Sequence, residues 1–290
     1  MILNKIKGTS IKELSFYIFN KLPSLLVGKI KRNIIYTHWG RGLNNFGDCL
    51  SPPILKYYGF TPVFSQKLKA DIILAGTVLQ WLPEHYSGII LGTGGDDMKY
   101  SFPNAKIIGV RGKKTLENIE GEKENVILGD PGLIMNLIYP EKTTPKYDLG
   151  IVPHFVDKDK QIIDNWNNKF SKDKDCLVID VLRSPKKVIA DIKKCRHIMS
   201  SSLHGLVVAD AFNIPNVRFV LRETMPSSFY DYKFDDYSSS LDTKTSTIEA
   251  TGNESYEHII SKMQLHTEKV KLLQQELDSA FKQVKNYLKE

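Results

Sequence analysis

The stretch SSSLHGLVVADAFNIP, residues 200–215, reads as a strand running out, a tight turn and an apolar helix beginning. Three small hydroxyls, Ser200, Ser201 and Ser202, end an extended run His197–Ser200, and Leu206–Phe212 has the length and apolar content of a buried helix. Leu203, His204 and Gly205 stand between them, which puts the imidazole beside the unpaired amides of a helix start. Such a junction suits an anion, and this makes His204 a candidate functional residue rather than a satisfied core histidine. A helix start disfavours the imidazolium, whereas a bound phosphate favours it.

The strand, turn and helix rhythm repeats on both sides of this stretch. Downstream of a polar segment 140–146, strands are expected at Asp148–Val152, Cys176–Asp180 and Val217–Val220, with helices at Gln161–Phe170 and Pro185–Lys194. Upstream, strands are expected at Ile34–Tyr36, Asp71–Leu74, Gly88–Leu91, Lys106–Val110 and Val126–Leu128. Helices are expected from Pro52 to Tyr58, closed by Gly59, and from Lys113 to Ile119. The fold class is α/β, with two Rossmann-like domains, 33–140 and 147–250, and a ligand cleft between them. From Glu254 onward, Tyr256, Ile259, Met263, Val270, Leu273, Leu277, Val284 and Tyr287 fall on one face of a long C-terminal helix, 254–290. Packing back across both domains is the simpler use of that face. A coiled-coil dimer is the alternative, which His266 on the same seam weakens.

Composition is that of an ordinary globular protein, with 41% hydrophobic and 25% charged residues over 290 positions. A formal charge of +7 favours acidic partners. Nucleic acid is excluded, because the lysines are dispersed and there is neither an aromatic RNA-binding motif nor a zinc module. Cys49, Cys176 and Cys195 are odd in number and widely spaced, so no disulfide framework, metal site or cofactor is expected. Cys49 beside Asp48 has two readings, a neutral packed thiol or a nucleophile. The segment 1–32 is a basic helical extension, with Lys5, Lys7, Lys12, Lys21, Lys29, Lys31 and Arg32 against Glu13. It holds neither a spanning segment nor a signal-peptide core, so a cytoplasmic location is expected. Its group Ile11, Leu14, Phe16, Tyr17, Ile18 and Phe19 either packs on the domain or rests on an anionic leaflet.

Two further junctions carry polar groups beside glycine. In HWGRGLNNFGDCLSP, residues 38–52, Gly40, Gly42 and Gly47 allow close backbone approach to a ligand, Asn44, Asn45 and Asp48 supply hydrogen bonding, and Asp48 either simply caps the following helix or faces the cleft. In GVRGKKT, residues 109–115, a strand ends on Arg111 and a helix starts after Gly112, an arrangement for a carboxylate or phosphate. LGDPGL, 128–133, and IVPHFVD, 151–157, add Asp130 and His154 as candidate cleft residues. Each also has a plain reading, as a turn cap and a loop residue.

Taken in order, NNFGDCLSP, GVRGKKT, LGDPGL, VPHFVD, SSSLHGLVVADAFNIP and KFDDYSSS (233–240) resemble the motif series of the polysaccharide pyruvyl transferases, in particular their succinoglycan-ketolase-like branch. The resemblance implies a two-lobed fold in a GT-B-like arrangement and transfer of pyruvyl from phosphoenolpyruvate to two saccharide hydroxyls, with phosphate released. The acceptor it implies is a saccharide or lipid-linked oligosaccharide of exopolysaccharide, capsule or cell-wall synthesis. It places Asp48, Arg111, Leu203 and His204 at positions tied to activity. On this reading Asp48, Arg111 and His204 are catalytic, and Asn45, Gly47, Arg111, Ser201, Ser202, Leu203, His204 and Gly205 hold the donor anion. Two rivals share the fold: a GT-B glycosyltransferase using a nucleotide sugar, and a phosphosugar-binding or membrane-surface protein without turnover.

Overall fold

The computed structural model describes residues 11–40, 45–121, 123–172, 174–225 and 227–288. Lys5 and Lys7, and residues 41–44 of the first motif, lie outside the described residues.

Six strands form the first sheet: β1 (Ile34–Thr37), β2 (Thr61–Phe64), β3 (Ile72–Ile73), β4 (Ile89–Leu91), β5 (Lys106–Val110) and β6 (Ile127–Leu128). Their order is β2-β1-β3-β4-β5-β6, all parallel. The second sheet contains β7 (Tyr147–Val152), β8 (Cys176–Val178), β9 (Cys195–Ser200), β10 (Asn216–Val220) and β11 (Thr247–Glu249). These too are parallel, in the order β11-β10-β9-β7-β8. Parallel neighbours need crossover connections, and both sheets therefore present their loops at common ends.

The helices are α1 (Ile11–Phe16), α2 (Leu22–Lys31), α3 (Ser51–Tyr57), α4 (Lys113–Asn118), α5 (Met135–Ile138), α6 (Gln161–Phe170), α7 (Pro185–Ile192), α8 (Leu203–Ala211), α9 (Ser227–Ser240), α10 (Tyr256–Ser261) and α11 (Thr267–Tyr287). A π-helical turn, Tyr17–Lys21, joins α1 to α2. Every residue of α8 is buried, which is why a segment with apolar residues on all sides folds there as a helix wrapped by others. It begins at Leu203, three residues earlier than the expected Leu206, so His204 stands in its first turn.

The tail departs from the single helix expected. The chain leaves α10 at Lys262, Gln264 forms backbone bonds with Asn216 on β10, and α11 starts after His266. The apolar face is accordingly divided. Ile259 packs with Trp166 and Phe219 under the second sheet, while Val270, Leu273, Leu277, Phe281 and Val284 join a cluster shared by both halves. That cluster contains Ile35, Leu50 and Ile54 from the first half and Ile198, Leu203 and Val207 from the second. The α11 helix ties the halves further: Gln274 donates to the Leu133 carbonyl at 2.9 Å and the Ala211 carbonyl at 3.2 Å. Phe281 stacks on Tyr58 at 5.1 Å.

Candidate active site

The carboxyl ends of both sheets turn toward one cavity of about 300 Å³. It is lined by His38, Trp39, Gly40, Asn45 and Asp48 after β1, Lys67 after β2, and Ala75–Val78 after β3. His154 and Phe155 after β7, Ser202–His204 at the start of α8, and Tyr230 and Lys233 on α9 complete the wall, with Trp81 at its edge. Ligands of open parallel sheets bind at this position because the strand ends and helix starts converge there.

The His204 ring is 6% exposed and its Nε2 points back to Asp130 Oδ2 at 3.5 Å, the outer limit of a hydrogen bond. Neither atom has another hydrogen-bond partner among the described residues. Asp130 also accepts from the Gly132 amide at 2.8 Å, capping the 3-10 turn Pro131–Ile134. Burial alone would raise the Asp130 carboxyl. The His204 ring, the Gly132 amide and the nearby Arg111 charge outweigh it and hold the carboxyl below its usual range. A buried carboxylate behind an imidazole fixes ring orientation. Gly47 serves the same ring from the other side: a Cβ there would lie 2.1 Å from His204 Nδ1, so only glycine lets the loop after β1 close over it.

Asp48 lines the cavity and accepts from Asn45 Nδ2 at 3.2 Å. Facing the same space is Lys233, 8% exposed, with no hydrogen-bond acceptor or ion-pair partner among the described residues. Its ammonium lies 4.7 Å from the Tyr230 ring and 5.5 Å from that of Phe234. Burial, reinforced by the charge of Arg111, pulls it down to about 7, against the opposing pull of Asp48. His154 is driven down to about 3 by burial and then by Lys233 and His204, so its imidazole is neutral. Burial also lowers Lys67, which sits 4.3 Å above the Trp81 ring. Cys49 donates to the Gly40 carbonyl at 3.3 Å, and burial, then Asp48, pushes its thiol up to about 11. That is a neutral packed thiol.

The remaining sequence candidates stand behind the wall. Ser201 Oγ accepts from the His154 amide at 2.8 Å and donates to Asp157 at 2.6 Å, tying the loop after β7 to the end of β9. Gly205 leaves room for the Ser200 hydroxyl, which bonds the Val152 and Ser202 carbonyls. Arg111 is fully buried and does not line the cavity. Its Nε pairs with Asp236 of α9 at 2.8 Å and its Nη1 donates to Thr77 at 2.8 Å. The other oxygen of Asp236 accepts from the Thr115 amide in the first turn of α4 at 2.8 Å. The arginine and helix start of GVRGKKT thus hold a carboxylate, and the carboxylate is the chain's own. Gly112 makes this possible, since a Cβ there would sit 1.7 Å from the Asp236 carbonyl oxygen.

Lys233, Lys67, Trp39, Trp81, Thr77 and Tyr230 were not among the residues singled out from sequence. Lys233 opens the KFDDYSSS segment and Trp39 belongs to the segment 38–52, so two of the six lay inside quoted motifs. Nothing in the spacing around Lys67 or Trp81 marks them.

The fold and the site define an α/β protein whose charged cavity lies between the carboxyl ends of two parallel sheets. The chain belongs to the polysaccharide pyruvyl transferase family, whose model matches residues 8–221. It is 33% identical over 136 residues to uncharacterized protein L143 of Acanthamoeba polyphaga mimivirus, an alignment covering 42% of this chain and 45% of that protein. The chain thus spans less than half the length of this curated relative. No solved structure matches. Among the described residues, no helix is long and apolar enough to cross a membrane.

Proposed function

We propose that the chain transfers the pyruvyl unit of phosphoenolpyruvate to two hydroxyls of a saccharide as a cyclic ketal, in the synthesis of an exopolysaccharide, capsule or cell-wall glycan. Besides family membership, the observation that carries this reading is Lys233, a buried cation facing the cavity without a carboxylate partner, beside His204 at a helix start. Together they offer two anion-binding groups to a donor carrying a carboxylate and a phosphate. Lys233 takes over the anion-holding role that the motif series suggested for Arg111, whose charge is committed to Asp236.

The chemistry requires an acid and a base. Protonation of the donor's methylene carbon creates a cation-like centre at carbon 2, and attack by the first hydroxyl forms a carbon–oxygen bond. Cleavage of the bond to the phosphate oxygen then regenerates the cation for the second hydroxyl. Of the two hydroxyl protons released, one replaces the proton placed on carbon and the other leaves with phosphate. His204, backed by Asp130, is suited to proton delivery and to holding the phosphate. Asp48, across the cavity, is suited to receiving the hydroxyl proton.

Trp81, 59% exposed at the cavity edge, and Trp39 supply flat apolar surfaces of the kind a pyranose ring stacks on. Donor and acceptor would then meet between the lobes, as in a GT-B-like arrangement. A volume of about 300 Å³ is at the low end for ligand sites and suits a three-carbon donor better than a nucleotide sugar. The test is phosphate release from phosphoenolpyruvate by the purified protein, with a panel of hexosides and lipid-linked oligosaccharide. Release that depends on acceptor and is lost in His204→Ala supports the reading. Release of nucleotide from a sugar nucleotide in its place would overturn it.

A further inference from the structure

The chain from Ile11 to Lys31 forms one helical rod with a packed side and a bare side. On the packed side, Phe16 meets Phe64 edge-on at 5.6 Å, and Gly28 is buried against Ile34 and Thr61 of the first sheet. On the bare side, Phe19, Leu22, Leu26 and Ile30 follow at helical steps of three and four and remain exposed, Phe19 at 74% and Ile30 at 84%. Tyr17, Ile18 and Val27 widen this stripe. A continuous apolar stripe on an otherwise packed helix marks an interaction surface.

The charge beside the stripe selects the partner. From Leu14 to Arg32 the sequence carries Lys21, Lys29, Lys31 and Arg32 and no acidic residue. A second copy docking through the same face would bring these like charges together. An anionic lipid surface satisfies both halves of the pattern, taking the apolar side chains below the headgroups and the basic ones among them. The rod also adjoins the cavity: the Phe64 ring that receives Phe16 packs 5.1 Å from Trp39, a cavity-lining residue.

We infer that the helical rod 11–31 docks the enzyme on an anionic membrane surface, with the mouth of the cavity beside the lipid. The inference is independent of the donor's identity. It predicts that an acceptor carried on a lipid reaches the site without leaving the bilayer surface.

The test is flotation with vesicles of phosphatidylcholine and phosphatidylglycerol, three to one, and with phosphatidylcholine alone. The full chain should float with the anionic vesicles, weakly with the neutral ones, and less as salt is raised. Phe19→Glu with Ile30→Glu should cut binding by more than about tenfold. Lys29→Gln and Lys31→Gln should each cut it about fivefold. Both apolar positions are exposed, so thermal melting should be unchanged, which separates lost docking from lost folding. No flotation at low salt, equal flotation with neutral vesicles, or full binding by the double variant would overturn the inference. So would a concentration-dependent dimer that the double variant abolishes, since the stripe would then be a self-interface.

Discussion

Two places in this molecule are built alike and serve different ends. At Arg111 and at His204 a strand of a parallel sheet ends in a glycine-flanked polar residue at the start of a helix. At the first, the anion comes from within: Asp236 occupies both the guanidinium and the Thr115 amide at the helix start. At the second, Asp130 stands behind the ring and the front is open to the cavity. One helix decides both outcomes. On α9, Asp236 fills the Arg111 site, while Lys233, three residues earlier and on the same side, adds a cation to the open one. A strand end and a helix start make an anion site, and a remote carboxylate determines whether it is a joint or a binding pocket.

The sharpest way to break this comparison is Arg111→Ala. It strands a fully buried carboxylate and should cost roughly 3–5 kcal/mol of stability, read by urea unfolding, with Asp236→Ala nearly as damaging and the pair strongly coupled. A variant that kept its stability and lost only donor affinity would return Arg111 to the binding site. At the open site, His204→Ala should lower turnover by roughly 10²–10⁴-fold with little change in melting temperature. Asp130→Asn should lower turnover less and also remove a pH dependence. Because the folded state depresses the Asp130 carboxyl, its stabilisation is complete above an unfolded value near ~4 and is lost as pH falls through the lower folded one. An acid limb of unfolding unchanged in Asp130→Asn would contradict this.

Lys233 sharpens the contrast in the opposite direction. Its folded value of about 7 lies below that of a free lysine, so the unfolded chain binds the extra proton. Stability should rise with pH from about 7 toward ~10.4, and Lys233→Met should flatten that rise. The same variant should weaken binding of phosphoenolpyruvate, which in the parent should fall off above pH of about 7. Gly47→Ala should displace the His204 ring and cost up to roughly 10²-fold in turnover, with a modest loss of stability. The smallest effect belongs to Cys49→Ser. A neutral thiol donating to a carbonyl is replaced by a hydroxyl that does the same, and turnover should change by less than about twofold. Abolished turnover would make Cys49 a nucleophile.

What the sequence made legible follows the depth of burial. The interior strands announce themselves as apolar runs, and β5 and α6 fall where their patterns place them. The strands that escape notice, β2 and β11, each lie at one edge of their sheet. β2 also carries Pro62, tolerated there because an edge has a free side. The α9 sequence, rich in serine, aspartate and aromatic residues, has weak helical preference, and contacts with α4 hold it in place. The placement of His204 and Asp48 in the cavity, and of Asp130 behind the His204 ring, was legible because each sits beside a glycine that marks a turn. Lys233 and Trp81 were not, since their place in the cavity depends on how distant segments pack. The pairing of Arg111 was hidden for the same reason: its partner lies 125 residues away.

That separation also governs how the chain comes into being. Synthesis delivers the last strand of the first sheet at Leu128, but Asp236, and the Leu277 that covers Gly129, emerge from the ribosome much later. At about 5–20 residues per second, the first half waits on the order of ten seconds with a buried-to-be arginine unpaired and a core face uncovered. Nascent chains in that interval are the ones that chaperones would hold and proteases would find, and loss of the final helix would prolong the interval indefinitely.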